Sequence, residues 1–171
     1  MKTPQTLEEF MAQALTMERE AAQRYEEIAD AMEVHNNREV AQLFRTMAGY
    51  EAKHAEAIMA EMNWVDAPGV PPGAWPAMES PEMIPSDAVH YLMHPWHALE
   101  LALAAEQRDW KTLVHPASVQ ATDDAARAAR RIMTDDGFNI GVLYAGTRPA
   151  YPLQTAKAAR AAAELEAEFS L

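Results

Sequence analysis

The sequence predicts an all-α fold: a four-helix bundle of two helical hairpins joined by one long crossover, with a short helix at the C-terminal end. Three observations predict it. Apolar residues recur at helical spacing in four segments, a proline-rich stretch separates the segments into two pairs, and one polar level interrupts all four seams.

The first helix is expected over residues 5–34. Thr6 followed by Glu9 has the spacing of a capping box, in which a threonine hydroxyl takes an orphan N–H of the first turn. The second is expected over 37–62, with Asn36 or Asn37 as its cap. The short connection between them predicts antiparallel neighbours. Residues 63–86 hold Pro68, Pro71, Pro72, Pro76, Pro81 and Pro85 together with Gly69 and Gly73, a composition that excludes a helix and predicts an extended crossover. Trp64 and Trp75 are expected to pin it to the bundle. The third helix is placed over 86–115, with Pro95 forcing a kink or a fresh start and Pro116 beyond its end. The fourth is expected over 122–145, a loop over 146–153, and a short Ala-rich helix over 155–168.

Each long helix carries a seam at 3.5-residue spacing. The four seams read Leu7, Met11, Ala14, Glu18, Ala21, Tyr25, Ile28, Met32; Val40, Phe44, Met47, Glu51, His54, Ile58; Leu92, Trp96, Leu99, Leu103, Glu106, Trp110, Leu113; and Ala125, Ala129, Ile132, Asp136, Asn139, Leu143. One level breaks the apolar pattern. There each helix supplies a carboxylate (Glu18, Glu51, Glu106, Asp136), and two helices add a polar group three residues on (His54, Asn139). Carboxylates gathered in a dry interior repel one another unless protons or cations neutralise them. Carboxylate oxygen and imidazole nitrogen both bind iron, manganese or zinc, so a divalent metal is expected. Glu18 and Glu106 are 88 residues apart, Glu51 and Asp136 are 85, and His54 and Asn139 are 85, as an internal duplication would give.

Composition narrows the classes. A length of 171 residues suits one domain spanning the chain, and a hydrophobic share of 49% suits a packed core. There is no cysteine, which removes disulfides, thiolate metal sites and a cysteine nucleophile. A net charge of -12 disfavours nucleic acid and anionic membranes as partners. With no long apolar run and no signal-peptide pattern in residues 1–10, a cytoplasmic protein is expected.

The run Glu18-Arg-Glu-Ala-Ala-Gln-Arg-Tyr25, followed by Glu51-Ala-Lys-His54, resembles the half-motif of the rubrerythrin and ferritin-like diiron family. The resemblance covers about residues 5–145. It implies a ferritin-like bundle in which one Glu per hairpin and a Glu-x-x-His on the partner helix bind iron, twice over. It implies that Tyr25 supports a carboxylate of the centre, and that the chain is an oxidoreductase that reduces peroxide or oxidises Fe(II). The second half departs from the pattern. Leu113 stands where the Tyr would be, and Glu-x-x-His becomes Asp136-Gly-Phe-Asn139. Asp is one methylene shorter than Glu, Asn is a far weaker ligand than His, and Gly137 suits a helix end. One well-ligated metal, a lopsided pair and a vacated site all stay open. So does a different class of function, a scaffold or dimerisation protein with a degenerate or structural mononuclear site. Rubrerythrins proper also carry a rubredoxin domain with four cysteines. Without cysteine, electrons for a redox reaction must come from an external donor. A homodimer is expected from the family's habit.

A second constellation, His90, His94, His97 and Glu100, has spacing able to bind metal, though such histidines are more often hydrogen-bonded structural groups. The 11 methionines read as core filling. No phosphate-binding glycine loop is present.

Overall fold

The computed structural model describes residue 4, residues 6–70 and 83–109, and residues 124 and 127; of residues 106, 107 and 109 it describes the backbone alone. Helix α1 spans Leu7–Val34 and α2 spans Arg38–Glu61. A single 3-10 turn follows at Ser86–Ala88, and α3 spans Pro95–Asp109. The helices and loop expected beyond residue 115 lie outside the described residues, and Asp136 and Asn139 with them. So do residues 71–82 of the crossover. Among the described residues there is no strand, and no helix is long and apolar enough to cross a membrane.

The ends of the hairpin follow from local chemistry. Thr6 Oγ1 accepts the N–H of Glu9 at 3.1 Å, as the capping pattern predicts. At the other end of α1, Asn36 adopts φ 63°, and the N–H of Asn37 reaches back to the carbonyl of Met32 at 2.9 Å. Asparagine tolerates the left-handed region because its short side chain is polar and flat, so it can reverse the chain where glycine is the usual choice. The same device ends α2, where Asn63 has φ 53° and Trp64 N–H bonds the carbonyl of Met59 at 3.0 Å.

The seams of α1 and α2 face each other and build two apolar clusters. One holds Phe10, Met11, Ala14, Leu15 and Met17 against Ala55 and Ile58. The other packs Ala21, Tyr25, Ile28 and Met32 with Val40, Phe44 and Met47, and takes in Ile84, Met93, Ala98 and Ala102 from the returning chain. Each large side chain buried in these layers contributes roughly 1.5–3 kcal/mol. On the outer surface, Arg45 of α2 bridges Glu26 and Asp30 at 3.0 Å each and also pairs with Glu33. Glu33 foremost, and Asp30 with it, hold the Arg45 guanidinium pKa above the ordinary arginine value. The network is solvent-screened, so the seams rather than the ion pairs hold the hairpin together.

The third helix corrects one expectation. Residues 86–94 are not its first turns; it begins at Pro95, the fresh start. Proline has no N–H to donate and its φ is already helical, so it is at home at the first helical position and forces no kink there. The apolar seam therefore does not run back to Leu92, which is 70% exposed. The returning segment is held instead by side chains. Asn37 Nδ2 donates to the carbonyls of Tyr91 (3.1 Å) and Met93 (2.8 Å), Arg24 Nε to that of Ile84 (3.0 Å), and Arg108 to that of Met83 (3.0 Å).

Candidate metal centre

Between the two apolar clusters lies a single polar layer. On α1 it is Glu18, bounded by Met17 and Ala21; on α2 it is Glu51 and His54, bounded by Ala48 and Ala55. Glu18 is 2% exposed and Glu51 6%. The neighbouring Glu20 is only half-buried, which fixes the phase of α1 on Glu18. Glu51 and His54 are three residues apart on α2 and so share a face.

The imidazole Nδ1 of His54 lies 3.3 Å from a carboxylate oxygen of Glu18 and 3.3 Å from one of Glu51. One ligand atom from each of the three residues falls within 4.8 Å of the other two. Two ligands held at about 2.1 Å from one ion stand roughly 3–4 Å apart, so the spacing of the trio suits a single cation shared by all three. The buried Glu51 oxygen beside His54 makes no hydrogen bond among the described residues. A carboxylate oxygen taken out of water is costly to leave without a proton or cation, so the donor set and its surroundings both fit a metal.

Tyr25, two turns beyond Glu18 on the same face, is buried, with its ring centroid 5.9 Å from that of Phe44. Glu106 lies on α3, and the position of its side chain is outside the described residues. Three of the six positions expected from sequence come together in the structure; the side chain of Glu106, and all of Asp136 and Asn139, lie outside the described residues. Among the described residues, His90, His94, His97 and Glu100 do not gather their ligand atoms as the trio does. Nδ1 of His97 accepts the backbone N–H of His94 at 3.0 Å, which puts the proton of the neutral ring on Nε2 and leaves no lone pair for an ion.

The spacing rules missed Gln13. It is 4% exposed, and its amide oxygen is buried with no hydrogen bond among the described residues. It lies off the seam, in a stretch of α1 from Phe10 to Leu15 that is buried on every side, and nothing in a heptad pattern marks such a residue.

Comparison with known proteins agrees with this geometry. Residues 9–70, the hairpin that carries the trio, match the Rubrerythrin family. The chain is also 32% identical to a structurally determined protein from Magnetospirillum magnetotacticum MS-1, described as an uncharacterized conserved protein. The match covers 81% of this chain and 91% of that one, with a TM-score of 0.61. The chain belongs to the rubrerythrin family. Its fold is the ferritin-like helical bundle, and a Glu-Glu-His group with spacing suited to a metal ion lies on α1 and α2. Comparison with curated proteins gives no match. The 171 residues contain no cysteine, so none of them forms a four-cysteine rubredoxin site.

Proposed function

We propose that this rubrerythrin-family protein is an iron-dependent oxidoreductase that reduces peroxide or oxidises Fe(II) within the helical bundle. The observation that carries the reading is the convergence of Glu18, Glu51 and His54 Nδ1 in a buried layer between two apolar clusters. Iron bound there supplies the electron transfer that protein side chains alone do not. Glu18 and Glu51 supply anionic oxygens and His54 a neutral nitrogen, a set suited to both oxidation states of iron. Glu106 on α3 is assigned as a further carboxylate ligand. Tyr25 is a positioning residue, holding a carboxylate of the centre by its hydroxyl. The apolar layers above and below keep bulk water from the site and raise the strength of every interaction inside it. Reducing equivalents come from an external donor.

The competing reading, a scaffold without a working centre, draws on the Asp136-Gly-Phe-Asn139 departure. Elemental analysis of anaerobically purified protein separates the two. Iron bound in the wild type and lost in both Glu51→Ala and His54→Ala, together with rapid Fe(II) oxidation by the loaded protein, is the expected outcome. Metal-free wild type that takes up no iron favours the scaffold. One tightly held zinc with no Fe(II) oxidation favours a structural mononuclear site. Metal content unchanged in both variants removes the trio as ligands.

A further inference from the structure

The first turn of α3 is closed by an unusual group. The carbonyl of His94 accepts the N–H of His97 (2.9 Å) and of Ala98 (3.3 Å), so His94 is the residue that caps the helix. Pro95 occupies the first helical position, and His97 the third. Nδ1 of His97 reaches back to accept the N–H of His94 at 3.0 Å. A reciprocal bond from the third helical position to the cap N–H is ordinarily made by Glu or Gln. Here an imidazole makes it, and an imidazole accepts only while Nδ1 is unprotonated.

We infer that His97 makes the start of α3 a pH-sensitive closure, which holds the returning crossover against the helical hairpin near neutral pH and loosens on mild acidification. Protonation has three local effects. It turns the acceptor into a donor facing another donor, the His94 N–H. It places a positive charge at the positive end of the helix dipole. It adds that charge to a crowded imidazole cluster, since the His97 ring centroid lies 6.0 Å from that of His90 and 5.8 Å from that of His94. The Trp96 ring lies tilted at 37° against His97, with centroids 3.5 Å apart, and limits where the ring can retreat.

The surroundings set the direction. Burial foremost lowers the His97 pKa from its ordinary value; His94 and His90 lower it further, and Glu100 on the exposed side of α3 opposes them. Across the open cleft that His90 borders stand Arg24 and Glu27 of α1 and His35 just beyond its end. The folded-state value therefore lies below the unfolded one. Stability from this group is complete above about pH 6.5 and is lost as pH falls through the lowered folded value. What loosens is the junction that carries Met93, Ala98 and Leu99 into the core, all buried.

Amide hydrogen exchange of the full-length protein tests this at pH 7.5 and 5.5, corrected for intrinsic rates, with wild type, His97→Gln and His97→Ala compared. Gln keeps an acceptor at the same place and does not titrate. Protection of the amides of Ala98 and Leu99 is expected to fall by about five- to tenfold at pH 5.5 in wild type, the scale of losing one cap. It is expected to stay constant in His97→Gln and to be low at both pH values in His97→Ala. Equal losses in wild type and His97→Gln would overturn the assignment, as would an imidazole nitrogen spectrum with His97 protonated at pH 5.5 and full protection retained.

Discussion

Glu51 is held in the interior by the helix it sits on, with a buried oxygen 3.3 Å from the imidazole of His54 and Glu18 close by. Of these three side chains only the imidazole can carry a positive charge, against two carboxylates in one dry layer. A site arranged this way favours a cation over the empty fold. Glu51→Gln keeps the shape and removes one negative charge. In EDTA, urea denaturation of Glu51→Gln is expected to give a chain about 1–3 kcal/mol more stable than wild type, because replacing part of a buried ionic cluster by a neutral group relieves desolvation. The same variant is expected to lose most of its metal affinity. A Gln variant less stable than metal-free wild type would mean that the carboxylate serves packing, and would sink the reading of the layer as a cation site. Gln13 is the opposite case, a buried polar residue already neutral.

The elements differ in how they are held. Helices α1 and α2 lock through long apolar seams, and α3 is tied in through the chain that leads to it. Asn37 is the shared point: Oδ1 accepts the Val40 N–H at 3.4 Å to cap α2, while Nδ2 donates to Tyr91 and Met93. Asn37→Ser retains a cap and loses the two donated bonds, so a loss of about 1–2 kcal/mol is expected in urea unfolding, with about 1 kcal/mol more for Asn37→Ala. A Ser variant as stable as wild type would show that the clamp contributes nothing. This division also explains what the sequence made legible. Glu18, Glu51 and His54 stood out because polar groups broke apolar repeats whose phase was set by seven other residues on α1 and four on α2. Asn37 was legible as a cap from its place before an apolar-periodic segment. Its grip on the 91–93 segment was not, because that pairing spans more than fifty residues. Pro95 reads equally as a kink or a start, since proline fits the first turn and breaks an interior, and only tertiary context decides. The His97 cap was hidden for a similar reason. Without the helix start, its spacing to His94 means nothing particular.

At the scale of the whole molecule, a net charge of -12 sets up self-repulsion that any added cation relieves to some degree, so a rise in stability on adding metal is not by itself a sign of a site. The two causes separate by their dependence on geometry. Diffuse screening acts on all exposed carboxylates, is matched by potassium chloride at equal ionic strength, and is indifferent to Glu51. A bound ion acts through its dissociation constant, adding about 2.7 kcal/mol when free metal is a hundredfold above it. For a domain of this size that corresponds to a rise in Tm of about 5–10 °C. Anaerobic thermal unfolding with Fe(II) is therefore expected to raise the Tm of wild type by that amount and to leave Glu51→Ala and His54→Ala within the small shift that salt produces. The same rise in all three proteins, or none beyond that of potassium chloride, would trace the effect to the acidic surface and leave the buried layer without a cation.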